Sequence, residues 1–297
     1  MAVMPIQESA PQAVAAPQGF VAQLLHNRKF SFGMGVFLVL LVVALVGGLL
    51  VDPSLRATGS FVPRQPPGPD AWLGSDSLGR SITVQLLEAI PKSIQVGLIA
   101  ATLGTLLGAL IGFAAGYFGG VVDSLLRILI DVFLSVPSLL FLILIAALVR
   151  GVSVQTMALI IGAFAWAWPA RQVRAQVLSL KERGFVEVAR MSGMGGLEII
   201  GRELMPHMIQ WLGANFVNAF IAAILAESGL SILGLGPQRE MTLGMMIYWA
   251  LTYGAILQNL WWWWMTPVLT LMLLFLALYL IHLGFDEVSN PRLRAEG

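Results

Sequence analysis

The chain has 297 residues, 58% of them hydrophobic and only 11% charged, against about 25% charged in an ordinary soluble domain, so it cannot build a water-soluble surface. A formal net charge of +1 supplies no field that calls for nucleic acid. The absence of cysteine excludes disulfides, thiolate metal sites and thiol nucleophiles, and leaves the compartment open.

Residues 1–30 are rich in Ala, Pro and Gln and precede the first apolar run, which predicts a disordered cytoplasmic tail rather than a short cleaved signal peptide. Residues 31–297 then read as an all-α membrane domain with six spans, at about 32–51, 93–117, 121–149, 156–173, 208–235 and 261–285. Each run is close to the ~20 residues a helix needs to cross a bilayer core. An even number of spans places both termini on one side. With that side inside, eleven Lys and Arg are cytoplasmic and six are outside, a positive-inside bias. In the first outer segment, Ser75 or Asp76 is expected to cap a short helix running toward Glu88. Trp261 to Trp264 are expected to lie in the outer headgroup layer as an aromatic belt.

One large polar interruption breaks the apolar pattern. Between Arg171 and His207, 37 positions hold ten of the 33 charged residues, with nearly balanced signs, unlike a polybasic lipid-binding patch. Phe185, Val188, Ala189 and Ser192 recur at i, i+3, i+4 and i+7, while Arg183, Glu187 and Arg190 share the other face. Gly193, Gly195 and Gly196 then break this helix, and a second stripe of Leu197, Ile200 and Leu204 is expected to stop at Pro206. Isolated helices below about 12 residues are marginal in water, so either another protein or the headgroup layer should cover the unit.

Within this loop, Glu187, Ala189, Gly193 and Pro206 fall at the spacing of the E-A-A, three residues, G, nine residues, I-x-L-P signature of ATP-binding-cassette (ABC) importer permeases. Val188, Glu203 and Met205 depart from it. From about Ala71 to Arg294 the chain resembles the C-type permease of the dipeptide, oligopeptide and nickel importer family. The resemblance rests on Leu73-Gly74-Ser75-Asp76-Ser77-Leu78-Gly79-Arg80, Ala115 to Asp123, Asp131 to Ser138, Gln176 to Arg183, Ala226 to Gly236 and Asn290 to Arg294. Where family members carry a Pro-rich loop ending in Trp-Gly, this chain has Pro237 to Gly244.

The resemblance implies a type I ABC importer permease fold in a bacterial inner membrane, with both termini cytoplasmic. It implies a homologous second permease, two ABC ATPase subunits that bind ATP and Mg, and an external substrate-binding protein. It also implies that the loop 174–207 couples to the ATPases through Arg183, Phe185, Val186, Glu187, Ala189, Arg190, Gly193 and Pro206. Glu227 and Asp131 are candidates for the permease interface or the path. The implied cargo is a dipeptide or oligopeptide, with oligosaccharides or other solutes as the alternative.

The residues themselves bear on catalysis. No G-x-x-x-x-G-K-[ST] phosphate loop occurs, so ATP hydrolysis is assigned to separate subunits and this chain to transport. Asp123, Arg127 and Asp131 follow at four-residue steps and are expected to pair along one helix face. No set of His, Asp and Glu has metal-site spacing. The rival reading, a stand-alone secondary transporter or channel, requires an ion-coupling cluster inside the membrane. A membrane-embedded enzyme requires a convergent nucleophile, acid/base or metal set, and the sequence offers neither.

Overall fold

The computed structural model describes residues 20–289 apart from residue 150. The expectations for residues 1–19, for Arg150 and for the tail motif Asn290 to Arg294 lie outside the described residues. Within the expected tail, Phe20–His26 form a helix, α1, and the first long helix, α2 (Arg28–Leu50), starts on an Asn27 cap whose side chain accepts from Phe30 N at 3.0 Å. The boundary of the helical domain therefore lies earlier than residue 31.

A compact cap follows α2. Asp52 caps a 3-10 turn, Pro53–Arg56, and hydrogen bonds from Ser54 hold the Asp52 carboxyl below its ordinary pKa. Asp76 is fully buried and accepts from Leu78 N at 2.8 Å, Arg80 N at 2.9 Å, Arg80 Nε at 2.6 Å and Gln85 Nε2 at 3.0 Å. It thereby ties the cap to the next helix. That helix, α3 (Ile82–Phe118), is capped by Ser81 and not by Ser75 or Asp76, and the expected short helix and second span are one 37-residue rod. At about 1.5 Å per residue it is roughly 55 Å long, well beyond a ~30 Å hydrocarbon core.

Helix α3 is the axis of the molecule. Gly104, Gly108, Gly112 and Gly116 recur every fourth residue, and a Cβ at Gly112 would lie 2.6 Å from the Val173 Cβ and 2.7 Å from the Ala170 carbonyl. Small residues at this spacing let backbones approach closely. The partner in this contact is α7 (Ala167–Leu180), which follows α6 (Val154–Phe164). The linking residues Ala165 and Trp166 keep right-handed helical angles. The fourth expected span is thus this helix pair, and it runs on into the start of the expected polar loop.

The third expected span is bent. Helices α4 (Gly120–Ser135) and α5 (Ser138–Leu148) meet at 76°. Pro137 disfavours helical angles in the residue before it, and Val136 is extended at φ −100°, ψ 131°. After α8 (Gly184–Met191), helix α9 (Gly196–Ile199) passes through a π turn, Ile200–Leu204, into α10 (Met205–Ile232). A short apolar helix that lies outside the six expected spans, α11 (Leu243–Thr252), is capped by Thr242 and precedes α12 (Trp261–Ser289).

Four of the described helices are long and apolar enough to cross a membrane, and the bent pair makes a fifth; the remaining expected span falls on α6 and α7, each too short to cross alone. The main core joins α2, α3, α10, α11 and α12. Asn27 donates to Glu287 at 2.8 Å and Lys29 pairs with the same carboxylate, so the two ends of the described chain meet. Of the tryptophan run, only Trp261 is largely exposed. Trp263 is fully buried and Trp262 donates to Ser75 O at 3.2 Å. The expected four-residue belt is therefore mostly packing against the cap and α11.

Candidate functional site

Helix α8 sits at the end of α3 opposite the cap, with the Arg190 guanidinium 5.7 Å from the Tyr117 ring centroid. Arg183 stands extended at its N-cap, and its carbonyl accepts from Val186 N at 3.0 Å. Val186 is fully buried and Ala189 nearly so, against Val173, Val177, Ile199, Ile200 and Leu204. Phe185 is half-buried, its ring stacked on His207 at 4.5 Å.

The buried stripe is therefore Val186 and Ala189, not the Phe185, Val188, Ala189, Ser192 stripe read from spacing. Val188 is 64% exposed, Met191 79%, and Leu197 of α9 76%. Val188 and Met191, three residues apart, give α8 an exposed apolar face bordered by exposed Glu187, and Leu197 is a further exposed apolar residue on α9.

Gly193 ends α8 with φ +80°, its N–H donating to Arg190 O at 3.0 Å while Met194 N donates to Ala189 O at 3.2 Å. This is a Schellman cap, which needs a left-handed residue. It returns Met194 to the core under α8. Pro206 does not stop the second helix as expected. It has no N–H and its ring would clash with the carbonyl four residues back. The preceding π turn, closed by Met205 N on Ile200 O, absorbs the mismatch and the helix continues to Ile232.

The acidic residues of α4 pair mainly across to α7 rather than along their own helix. Arg174 forks onto Asp123 at 2.5 and 2.7 Å, and Arg171 reaches Asp131 at 3.0 Å. The expected Arg127–Asp131 pair is longer, at 3.6 Å. Asp131 is thus half-exposed at the surface where α4 meets α7.

Glu227, near the cap end of α10, is completely buried. It accepts from Thr242 Oγ1 at 2.6 Å and Ser231 Oγ at 2.7 Å, and more distantly from Ser93 Oγ at 3.5 Å. Ser93 Oγ in turn accepts from Leu243 N at 2.9 Å. This knot binds α10 to α3 and α11. Glu227 is thus enclosed between α10, α3 and α11, with both carboxylate oxygens turned toward hydroxyl groups. The structure does not bring Glu227, Asp131 and α8 together; they are three separate places.

A cavity of about 310 Å³, which sequence reasoning missed, lies between the α4–α5 elbow, the α6–α7 joint and α10. Its walls are mostly apolar, with Ser138, Asn215 and Asn218 as polar exceptions. Asparagines inside an otherwise apolar span are the signal that could have found it. Among the described residues no group of three His, Asp or Glu is placed to hold a metal ion.

Known proteins share this architecture. Residues 104–295 match the model of the binding-protein-dependent transport system inner membrane component family. The chain is 32% identical to the dipeptide transport system permease protein of Bacillus subtilis, over 92% of this chain and 84% of that protein. It is 30% identical to a Brucella suis protein described as a peptide transport system permease, over 99% and 98% of the two chains. It is also 30% identical to the oligopeptide transport system permease protein of Mycobacterium tuberculosis, over 76% and 79%. Among solved structures, an inward-facing form of the MetNI methionine ABC transporter covers 69% of this chain and 94% of its own, with a TM-score of 0.54 at 19% identity. That similarity is one of fold.

Proposed function

The chain belongs to the family of binding-protein-dependent transport inner membrane components and is a permease subunit of an ABC importer, and from that premise we propose that it carries peptides and is driven through α8. In this reading it forms half of a path completed by a homologous second permease, beneath an external binding protein. Two ABC ATPases bind ATP and Mg and do the hydrolysis, and this chain catalyses nothing. Residues 174–207 then face the cytoplasm of a bacterial inner membrane together with both termini, and α6–α7 serves as the sixth span. Peptide as cargo is supported by the names of the relatives.

The observation that carries the coupling role is the exposed Val188 and Met191 surface on a helix whose other face is locked to the core. An amphipathic helix with one face so exposed fits a groove on a partner. In this reading Arg183, Phe185, Val186, Glu187, Ala189, Arg190, Gly193 and Pro206 divide the work. Val186, Ala189, Phe185, Gly193 and Pro206 set the pose of α8. Glu187, Arg183 and Arg190 border its outward face, with Val188 and Met191 as the added contact residues. Closure of the ATPases on ATP pulls α8 and moves the spans.

The test is a Val188→Asp, Met191→Asp double variant in reconstituted vesicles. It should insert normally, yet lose nearly all ATP-driven uptake. Normal uptake by that variant overturns the coupling assignment.

A further inference from the structure

We propose that Asn215 and Asn218 of α10 line the translocation path and bind main-chain amide groups of the passing peptide; this rests on the peptide-import reading above. Asn218 lies 13 residues after Met205 and 14 before Ile232, which at about 1.5 Å per residue places it roughly 20 Å from either end of α10. It is therefore central in the span, and its side chain is exposed. A carboxamide facing hydrocarbon there has no hydrogen-bonding partner. Polar side chains in spans face a helix contact or a water-filled passage.

The cavity beside it favours the passage. Ala219, Ala222 and Ala226 occupy the same face of α10 and, opposite the elbow at Pro137, leave about 310 Å³ open beside the two amides, within the size range of small-molecule sites. Asn215 donates one Nδ2 hydrogen to Trp211 O at 3.0 Å, which leaves its Oδ1 and its second Nδ2 hydrogen to present, while Asn218 offers both a donor and an acceptor. A donor and an acceptor on one rigid helix face complement the C=O and N–H of a peptide group, whatever its side chains. None of the described residues lining the cavity is charged, so this wall offers no counter-charge to a metal ion or an anion.

The chain has no cysteine, so single thiols report without a background. In the intact importer, with this chain reconstituted alongside its second permease, ATPases and binding protein, Asn218→Cys should react with a membrane-impermeant, charged methanethiosulfonate. Saturating dipeptide during turnover should slow that reaction. Asn218→Leu should raise the KM for dipeptide uptake on the order of tenfold, the loss of about one hydrogen bond, and Asn218→Gln should recover part of it. An unreactive thiol, or an Asn218→Leu complex that sheds the second permease while its surviving fraction keeps the wild-type KM, makes Asn218 a helix-contact residue and overturns the proposal. A thiol that reacts and is protected by a solute other than peptide, in an importer that moves no peptide, refutes the peptide reading while leaving the residue in the path.

Discussion

Replacing Asp76 with alanine should loosen the cap and leave the spans assembled. The carboxylate is fully buried and takes four hydrogen bonds, from Leu78 N, Arg80 N, Arg80 Nε and Gln85 Nε2. Its removal leaves the Arg80 guanidinium, whose side chain is 17% exposed, without its counter-charge. Truncating one member of a buried pair costs about 3–5 kcal/mol, most of it from the stranded charge. At about 2 °C per kcal/mol for a chain of this size, the loss is roughly 6–10 °C in melting temperature if the cap melts with the whole. Trp262 donates to Ser75 O beside Asp76, so its contribution to the fluorescence of the nine tryptophans changes on heating as the cap loosens, seen as a difference between wild type and Trp262→Phe. Asp76→Ala combined with Arg80→Ala should cost less than the sum of the two single changes, by about 2 kcal/mol. A melting temperature within about 2 °C of wild type, with no new protease cleavage between residues 52 and 81, would refute the reasoning.

Gly112→Leu forces a side chain into the backbone of α7 and should cost about 3 kcal/mol or more, seen as loss of monodisperse protein on size-exclusion chromatography. Glu227→Leu strands the hydroxyls of Thr242 and Ser231 in a dry site and should destabilise by about 2–4 kcal/mol. In that variant a cysteine introduced at Ala250, fully buried on α11, becomes reactive to water-soluble thiol reagents, whereas in a wild-type background it stays protected. At Gly193 nothing lies within 4 Å of where a Cβ would stand and φ is +80°, so the cost of a side chain there is purely conformational. Coupling efficiency, uptake per ATP hydrolysed, should therefore rank Gly above Asn above Ala, with Ala about 1 kcal/mol worse in stability.

Hydropathy alone locates the long helices, because a ~20-residue apolar run has few alternatives to spanning. The Gly193 turn is equally legible, since a glycine just past an amphipathic run reads as a left-handed cap. The face of α8 is not. In a helix of two turns, stripes through Val186 and Ala189 or through Phe185, Val188 and Ala189 both fit the period, and only the approach of Ile199, Ile200 and Leu204 decides between them. The elbow at Pro137 and the passage of α10 through Pro206 have opposite outcomes from the same residue type. The difference lies in the π turn before Pro206, which tertiary packing sets. The tryptophan run misleads for a related reason: composition tells that indoles favour interfaces, but the cap and α11 arrive from distant sequence to bury Trp262 and Trp263.

The central claim is that the outward face of α8 seats an ATPase, and the cysteine-free background allows a direct measurement. A single Met191→Cys carrying a short photo-crosslinker in the intact importer should join this chain to an ATPase subunit in high yield. Val42→Cys, at an exposed position on α2 away from α8, should not. Crosslinks from position 191 that go only to lipid, with the ATPases still bound and hydrolysing ATP, would contradict the account.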